Sequence, residues 1–344
     1  MTPHVLVARL DNDGDVLLAG PVVRAVAAGA RRVTLLCGPR WRAAAELLPG
    51  VDELVVFRAP WIDPQPEPVD PAAIHALVDD LGARQIDEAI VLGSFHQSPL
   101  PLALLMRMAG VPRLAATSVD YPGSLLDVRH LIDDDVHEVE RSLSLGATLG
   151  YALPPGDDGR LRVRRPASLH APAVAGPYVV VHPGASVPAR AWAPGKVEEL
   201  VARLAAEGRR VVVTGAPAER ALTRRVAGGR PGAVDLGGRT SLGDLAEVLA
   251  GAEAVVCGNT GPAHLAAAVG CPVVSLFALT VPPVRWRPWG VPHELLSVAV
   301  PCAGCRAATC PVPGHPCVDG VEVEEVLGAL ERLAPKRRTP AVAA

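Results

Sequence analysis

Residues 255–274, VVCGNTGPAHLAAAVGCPVV, constrain the chain more than any other stretch. Ala254-Val255-Val256-Cys257 reads as a buried strand, and Val273-Val274-Ser275-Leu276-Phe277 reads as the next one. Between them, Gly258-Asn259-Thr260-Gly261-Pro262 makes a tight turn into a helix over 264–269 that closes at Gly270. Thr260 suits the N-cap, and Pro262 suits the first turn, where a missing N–H costs nothing. A strand, a turn of small residues and a helix N-terminus together aim backbone N–H groups and a positive dipole end at one point. An anion fits there, and phosphate is the usual one. Every α/β protein also has turns of this kind, so the stretch alone leaves a purely structural reading open.

The rest of the chain repeats the alternation. In the first half, strands are expected at 4–9, 32–37, 53–57 and 88–92, with helices at 16–28, 41–48, 72–82 and 99–110. The last is the most apolar helix, either core or the lining of a lipid- or acceptor-facing cleft. Residues 153–176 are rich in Pro, Gly and Arg without an apolar period, which marks a linker. A second series follows it, with strands at 178–181 and 210–214 and helices at 194–207, 218–227 and 242–250. Short apolar runs alternating with helices indicate βαβ units and parallel sheets. The fold class is therefore α/β, with two Rossmann-like domains over 1–160 and 176–334 facing a cleft. A final helix at 323–333 is expected to cross back to the first domain, and 335–344 look disordered.

Composition narrows the partners. Of 344 residues, 49% are hydrophobic and 20% charged, enough for a large core. The net charge of -3 provides no basic footprint for nucleic acid. No apolar run reaches the roughly 20 residues of a membrane span, and the N-terminus enters a strand directly. A cytoplasmic location with at most peripheral membrane contact is expected.

Polar residues gather where the second-half strands end: Ser186, Arg190 and Trp192 after the first, Glu219 after the next, and Thr240-Ser241 before a helix with Asp244 at the capping-box position. In a parallel sheet these turns share an edge with 258–264. A cation and N–H groups for phosphates, with a carboxylate for ribose, suit a nucleoside diphosphate. In the first half, Asp11-Asn12-Asp13-Gly14-Asp15 puts three aspartates at a strand end, either a solvated turn or an active carboxylate. Arg129-His130 and 133–138 are polar clusters without metal spacing, with His137 and Glu138 read as the exposed start of a helix. No G-x-G occurs, Gly195-Lys196 is followed by Val197, and neither H-E-x-x-H nor G-x-S-x-G is present. Dinucleotide, P-loop, zincin and serine-hydrolase chemistry are thereby set aside. A sugar-nucleotide enzyme survives.

At this point the chain resembles family 9 glycosyltransferases, the group of ADP-heptose:lipopolysaccharide heptosyltransferases. The resemblance covers about residues 4–330 and rests on ordered motifs: VLVARLDNDGDVLLAGPVVRAV, VVVHPGAS with RAW, GAPAE, DLGGRTSLGDLAEVLAGAEAVV and GNTGPAHLAAAVGCPVVSLF. It implies a GT-B fold and an inverting, metal-independent transfer, with the acceptor on the N-terminal domain and the donor mostly on the C-terminal one. A sugar, most simply a heptose, would move from a nucleoside-diphosphate sugar such as ADP-heptose to a hydroxyl of a glycan, lipid-linked glycan or small molecule. The donor is a substrate, so neither a cofactor nor a metal is implied. Asp15 matches the catalytic base. Arg190, Ser186, Thr260, Gly261 and His264 match diphosphate contacts, Glu219 the ribose carboxylate, and Thr240 a position beside the base. Asn259 stands where many members have Asp, and its amide can still hydrogen-bond donor sugar hydroxyls. A nucleotide-sugar epimerase and a non-catalytic nucleotide-sugar-binding protein are the alternatives.

Seven cysteines are present. Cys37, Cys257 and Cys271 sit in strand-like runs and read as core. Cys302, Cys305, Cys310 and Cys317, with His315, crowd near the C-terminus, and the first pair has zinc-knuckle spacing. Reduced structural thiols are expected there, ahead of bound metal and, last, disulfides.

Overall fold

Short runs of Val, Leu and Ala, buried on both faces, build two sheets whose strand pairs are all parallel, as expected of strands covered by helices on each side. The computed structural model describes residues 2–94, 97–165, 174 and 176–334. Among them, the first sheet holds β1 (His4–Arg9), β2 (Arg32–Cys37), β3 (Glu53–Val56), β4 (Glu88–Val91), β5 (Arg113–Thr117) and β6 (Val128–His130). The second holds β7 (Val179–His182), β8 (Val211–Val213), β9 (Ala233–Asp235), β10 (Ala254–Gly258), β11 (Val273–Leu276) and β12 (His293–Leu296). Their orders are β3-β2-β1-β4-β5-β6 and β12-β11-β10-β7-β8-β9. Counted from its own first strand, each sheet has the Rossmann order, reversing direction between its first and fourth strands. The chain divides into the units Met1–Arg165 and Pro166–Ala344.

Each unit has its own core. In the first, Leu6, Val91 and Leu114 meet Leu102 and Met106 of the helix Leu100–Met108, so that apolar helix is mainly core; Leu104 and Met108 stay at its surface. In the second, Val181, Val256 and Val274 meet Leu200, Val326 and Leu330. The last two belong to the helix Val323–Leu333. That helix therefore packs on the core of the second unit, its apolar face on the β10 and β11 side of that sheet. No helix among the described residues is long and apolar enough to cross a membrane.

Several other expectations change. The helical run 16–28 is two helices, Asp13–Leu18 and Gly20–Gly29. Pro21, which lacks an N–H, stands in the first turn of the second, where none is needed. The central helix starts at Gly261, three residues earlier than its apolar period suggests, with Pro262 in its first turn. His137 and Glu138 are buried, at 1% and 2% exposure, rather than exposed. His137 caps the helix Glu138–Ala147 by accepting the Val139 N–H on Nδ1. Strands β5, β6 and β12 are not evident in the sequence: β5 is alanine-rich, while β6 and β12 are polar edge strands.

Within the expected linker, 166–173 and 175 lie outside the described residues, as does the tail 335–344. Residues 153–165 are tied to the first unit. Arg24 binds Asp157 at 2.7 Å and Arg164 N–H reaches Leu47 O at 2.7 Å. The hydrogen bond from Arg24 holds the Asp157 carboxyl down at about 2.

Docking of the last helix is testable. Leu330→Ala removes a fully buried side chain and should lower the stability of the second unit by about 3 kcal/mol. A urea titration read by fluorescence checks this; a helix docked elsewhere would leave the midpoint unchanged.

Candidate active site

The eight residues expected to bind a donor all follow C-terminal ends of strands in the second sheet. Ser186 and Arg190 follow β7, Arg190 closing the single turn Pro188–Arg190. Glu219 closes the turn Pro217–Glu219 after β8. Thr240 precedes the helix Leu242–Ala250 after β9. Asn259, Thr260, Gly261 and His264 run from the end of β10 into the helix Gly261–Ala268. Parallel pairing puts these turns on one edge, and β7 and β10 flank the reversal point where open α/β sheets bind ligands.

Close backbone approach brings part of the set together. A Cβ on Gly258 would stand 2.5 Å from Arg190 O, so only glycine lets β10 end beneath the Arg190 turn. Arg190 Nη1 donates to Asn259 O at 3.4 Å. Thr260 has the extended backbone of an N-cap, but its hydroxyl turns back to Gly258 O at 3.5 Å and does not cap the helix. The first-turn amides of that helix are thus not covered by the residue expected to cap them. Asn259 is buried and its amide is paired face to face with Ala278: Nδ2 donates to Ala278 O at 3.2 Å and Oδ1 accepts Ala278 N–H at 3.1 Å. Ser186 is exposed and Thr240 half-buried, and neither is bonded to the other six among the described residues.

Glu219 lies over the start of the β7 loop. A Cβ on Gly184 would fall 1.9 Å from Glu219 Oε1, so the carboxylate occupies the space that a side chain at 184 would fill. Its Oε2 accepts the N–H of Ala216 at 2.7 Å and faces His182 Nε2 at 3.8 Å. The other nitrogen of His182 meets Thr214 Oγ1 at 2.9 Å. Burial pushes His182 down to about 4, so the ring is neutral beside the carboxylate at neutral pH.

In the first unit, Asp15 lies in the first turn of Asp13–Leu18, directly after β1, and is 4% exposed. It belongs to a buried cluster that sequence reading did not assemble. Arg9, 2% exposed at the end of β1, binds Asp11 at 2.8 Å, Asp15 at 2.9 Å and Glu138 at 3.4 Å. Asn12 caps the helix through Asp15 N–H at 3.1 Å and donates its amide to Asp15 Oδ2. Ser94, after β4, donates to Asp11 Oδ2 at 2.7 Å. Arg9 was hidden in an apolar strand, and Glu138 lies 129 residues away. Burial opposes the Arg9 charge, but the pull of Asp11, Asp15 and Glu138 outweighs it and holds the guanidinium above its ordinary range. Asp11 is raised, chiefly by burial, against the pull of Arg9. Asp13, outside these ion pairs and half-buried, is pushed by burial up to about 6.

All seven cysteines are free. Cys302, Cys305, Cys310 and Cys317 line one cavity with Thr280 and His315. Among the described residues, no group of three or more His, Cys, Asp or Glu side chains is placed to hold a metal ion.

Comparison with known proteins follows the same lines. Residues 74–315 match the profile of glycosyltransferase family 9 (heptosyltransferase). The chain is 37% identical over 178 residues to lipopolysaccharide heptosyltransferase 1 of Pseudomonas aeruginosa, covering 51% of this chain and 48% of that protein. It thus spans about half the length of the curated relatives it matches. A family 9 glycosyltransferase of Veillonella parvula superposes with a TM-score of 0.81 at 17% identity, over 96% of this chain and 97% of that one. An Escherichia coli heptosyltransferase solved with ADP superposes with a TM-score of 0.71 at 22% identity, over 96% and 100%. These likenesses show the fold, which is the expected GT-B class.

The Asp13 environment predicts a pH dependence. Its carboxyl is raised when folded, so the folded state binds the proton more tightly than the unfolded chain. Its contribution is therefore fully present below about pH 4 and is lost as pH rises through about 6. Asp13→Asn should be more stable than the parent by about 2 kcal/mol at pH 8 and no different at pH 4. Thermal unfolding of both proteins across this range checks it. A pH-independent difference would mean that burial does not tune the group.

Proposed function

The chain belongs to glycosyltransferase family 9, the heptosyltransferase family, and from that premise we propose that it moves a heptose from ADP-heptose to a hydroxyl of a lipopolysaccharide acceptor, inverting the anomeric carbon. The observation that carries this reading is the gathering of Arg190, Glu219 and the amide end of Gly261–Ala268 at the reversal point of the second sheet. A cation and helix amides suit a diphosphate, and a carboxylate held beside a neutral imidazole suits ribose hydroxyls. The names of its relatives support the substrates: a lipopolysaccharide heptosyltransferase is similar in sequence, and a heptosyltransferase solved with ADP has the same fold. An epimerase is not favoured, since the matching family is one of glycosyltransferases.

In the proposed reaction the acceptor oxygen forms its bond to the anomeric carbon as the bond from that carbon to the diphosphate oxygen breaks. The acceptor proton goes to Asp15, and the electron pair leaves with ADP. Arg9 pairs directly with Asp15, and Asn12 fixes its rotamer. Arg190 and the first-turn amides of Gly261–Ala268 take up the charge that develops on the leaving diphosphate. Ser186, Thr260 and His264 are further phosphate contacts in this reading, and Thr240 lies beside the adenine. Asp13 is the competing carboxylate, because a value of about 6 is closer to that of an efficient base.

Three proteins test the proposal against ADP and ADP-heptose. The parent should show a thermal shift with ADP, about 2.7 kcal/mol at a hundredfold excess over the dissociation constant. Arg190→Ala should weaken ADP about 10- to 100-fold, as expected for a lost charged hydrogen bond. Asp15→Asn should bind ADP normally and lose transfer. Normal transfer by Asp15→Asn together with its loss in Asp13→Asn would move the base to Asp13. A parent that binds ADP-heptose but transfers nothing to any lipopolysaccharide acceptor would leave only a binding protein.

A further inference from the structure

The segment that carries the clustered cysteines also carries the contacts that hold the Arg190 turn. Ala189 is 1% exposed within Pro188–Arg190, and both of its backbone groups bond outside the turn. Its N–H donates to Ala308 O at 3.0 Å, and its carbonyl lies 3.0 Å from His315 Nε2. A carbonyl only accepts, so the ring proton of His315 sits on Nε2. The other ring nitrogen, Nδ1, lies 3.7 Å from Asp319 Oδ2. Asp319 Oδ1 in turn accepts the N–H of Ala193 at 2.7 Å. His315 and Asp319 are joined by a backbone bond, Asp319 N–H to His315 O at 2.9 Å. Together they grip both ends of 189–193, the stretch that presents Arg190.

Neighbouring contacts continue the seam. Lys196 Nζ donates to Asp319 O at 2.7 Å, and Trp192 Nε1 donates to Val321 O at 3.3 Å. His315 itself has a φ of +43°, in the left-handed region that non-glycine residues seldom occupy. Such a conformation persists where surrounding contacts over-determine it, and here they are the bonds to Ala189 and the approach to Asp319. Nε2 of His315 is thus taken up by the Ala189 carbonyl, while Nδ1 lies beyond hydrogen-bond distance of Asp319.

We propose that His315 is a positioning residue for the diphosphate contact of Arg190. The inference rests on the reading of Arg190 given above. The guanidinium can meet a diphosphate only if its turn stays seated on β10, where Arg190 O already occupies the space of a residue-258 Cβ. A small drift of the turn would move the charge off the amide end of Gly261–Ala268, and charged contacts lose most of their value with such displacement. His315 touches no reacting atom in this reading; it acts through the main chain of Ala189.

Adenosine and ADP separate this role from a general structural one, because adenosine lacks the group that Arg190 would hold. Affinities for both are measured by titration calorimetry for the parent, His315→Ala, His315→Gln, Arg190→Ala and the His315→Ala/Arg190→Ala double variant. His315→Ala should weaken ADP about tenfold, the size of one lost hydrogen bond to a charged partner, and leave adenosine within about twofold. His315→Gln, whose amide can still donate to Ala189 O, should recover most of the loss. In the Arg190→Ala background, His315→Ala should add less than about twofold. Equal weakening of both ligands, failure of Gln to rescue, or full additivity in the double variant would overturn the inference. An Arg190→Ala protein with unchanged ADP affinity would instead overturn the reading beneath it, and the two failures are told apart by that one variant.

Discussion

Parallel pairing with right-handed crossovers is the constraint on which the rest depends. It sends every strand of a sheet out at the same edge, so turns far apart in sequence become neighbours there. Arg190, Glu219, Thr240 and Thr260 come from four strand ends of one sheet for this reason alone. The reversal of strand order between β7 and β10 then parts the crossovers on either side and leaves a crevice at that edge. The first sheet repeats the topology, and its reversal point, between β1 and β4, gathers Arg9, Asp11, Asp15 and Ser94. One architectural rule thus produces both polar centres.

The two centres handle charge in opposite ways. In the first, one guanidinium faces three carboxylates under almost complete burial. Buried charges of this kind persist only when each is paired, and Ser94 and Asn12 supply the remaining donors. Such an arrangement fixes the rotamer of Asp15 tightly. In the second, Arg190, Glu219, Thr240 and Thr260 are half-buried, and the precision comes from backbone approach: Gly258 beneath the Arg190 turn, and Gly184 beneath Glu219. A site shaped by glycines holds its side chains by excluding alternatives, since any Cβ at 184 or 258 would displace the group above it.

Much of this was legible in the sequence. The alternation of short apolar runs with helical ones gave the α/β class and the two halves, because parallel strands buried on both faces read as continuous Val and Leu. The strand-turn-helix at 254–268 was readable for the same reason, and its glycine and proline marked the turn. The strands that escaped notice are those where packing overrides propensity. β5 is held in its sheet by neighbours rather than by its Ala-rich sequence, and β12 carries His293 and Glu294 at an edge. The Arg9 cluster was unreadable because its members are related by topology rather than spacing. Glu138 looked like an ordinary exposed helix start, and only burial against Arg9 shows otherwise. Thr260 has the residue type and backbone of a cap, yet its hydroxyl bonds elsewhere, an outcome that no local pattern encodes.

Asn259 shows how one substitution can satisfy fold and site together. The family resemblance implies an acidic residue at this position in many members, associated with donor sugar hydroxyls. Here the side-chain amide closes a reciprocal pair with the backbone of Ala278, joining the end of β10 to the stretch after β11. A carboxylate could accept the Ala278 N–H but would set its second oxygen against Ala278 O, where an amide places a donor. Asn is therefore the residue that fits a buried carbonyl and amide side by side without a penalty for an unmatched acceptor. The pairing uses one of its two N–H groups and one lone pair of its oxygen. A second N–H and a second lone pair remain for a hydroxyl, so anchoring the loop and reading a sugar are compatible tasks for this side chain. What changes relative to an acidic residue is the charge: the Asn259 side chain carries none, beside the Arg190 guanidinium that donates to Asn259 O from the next turn.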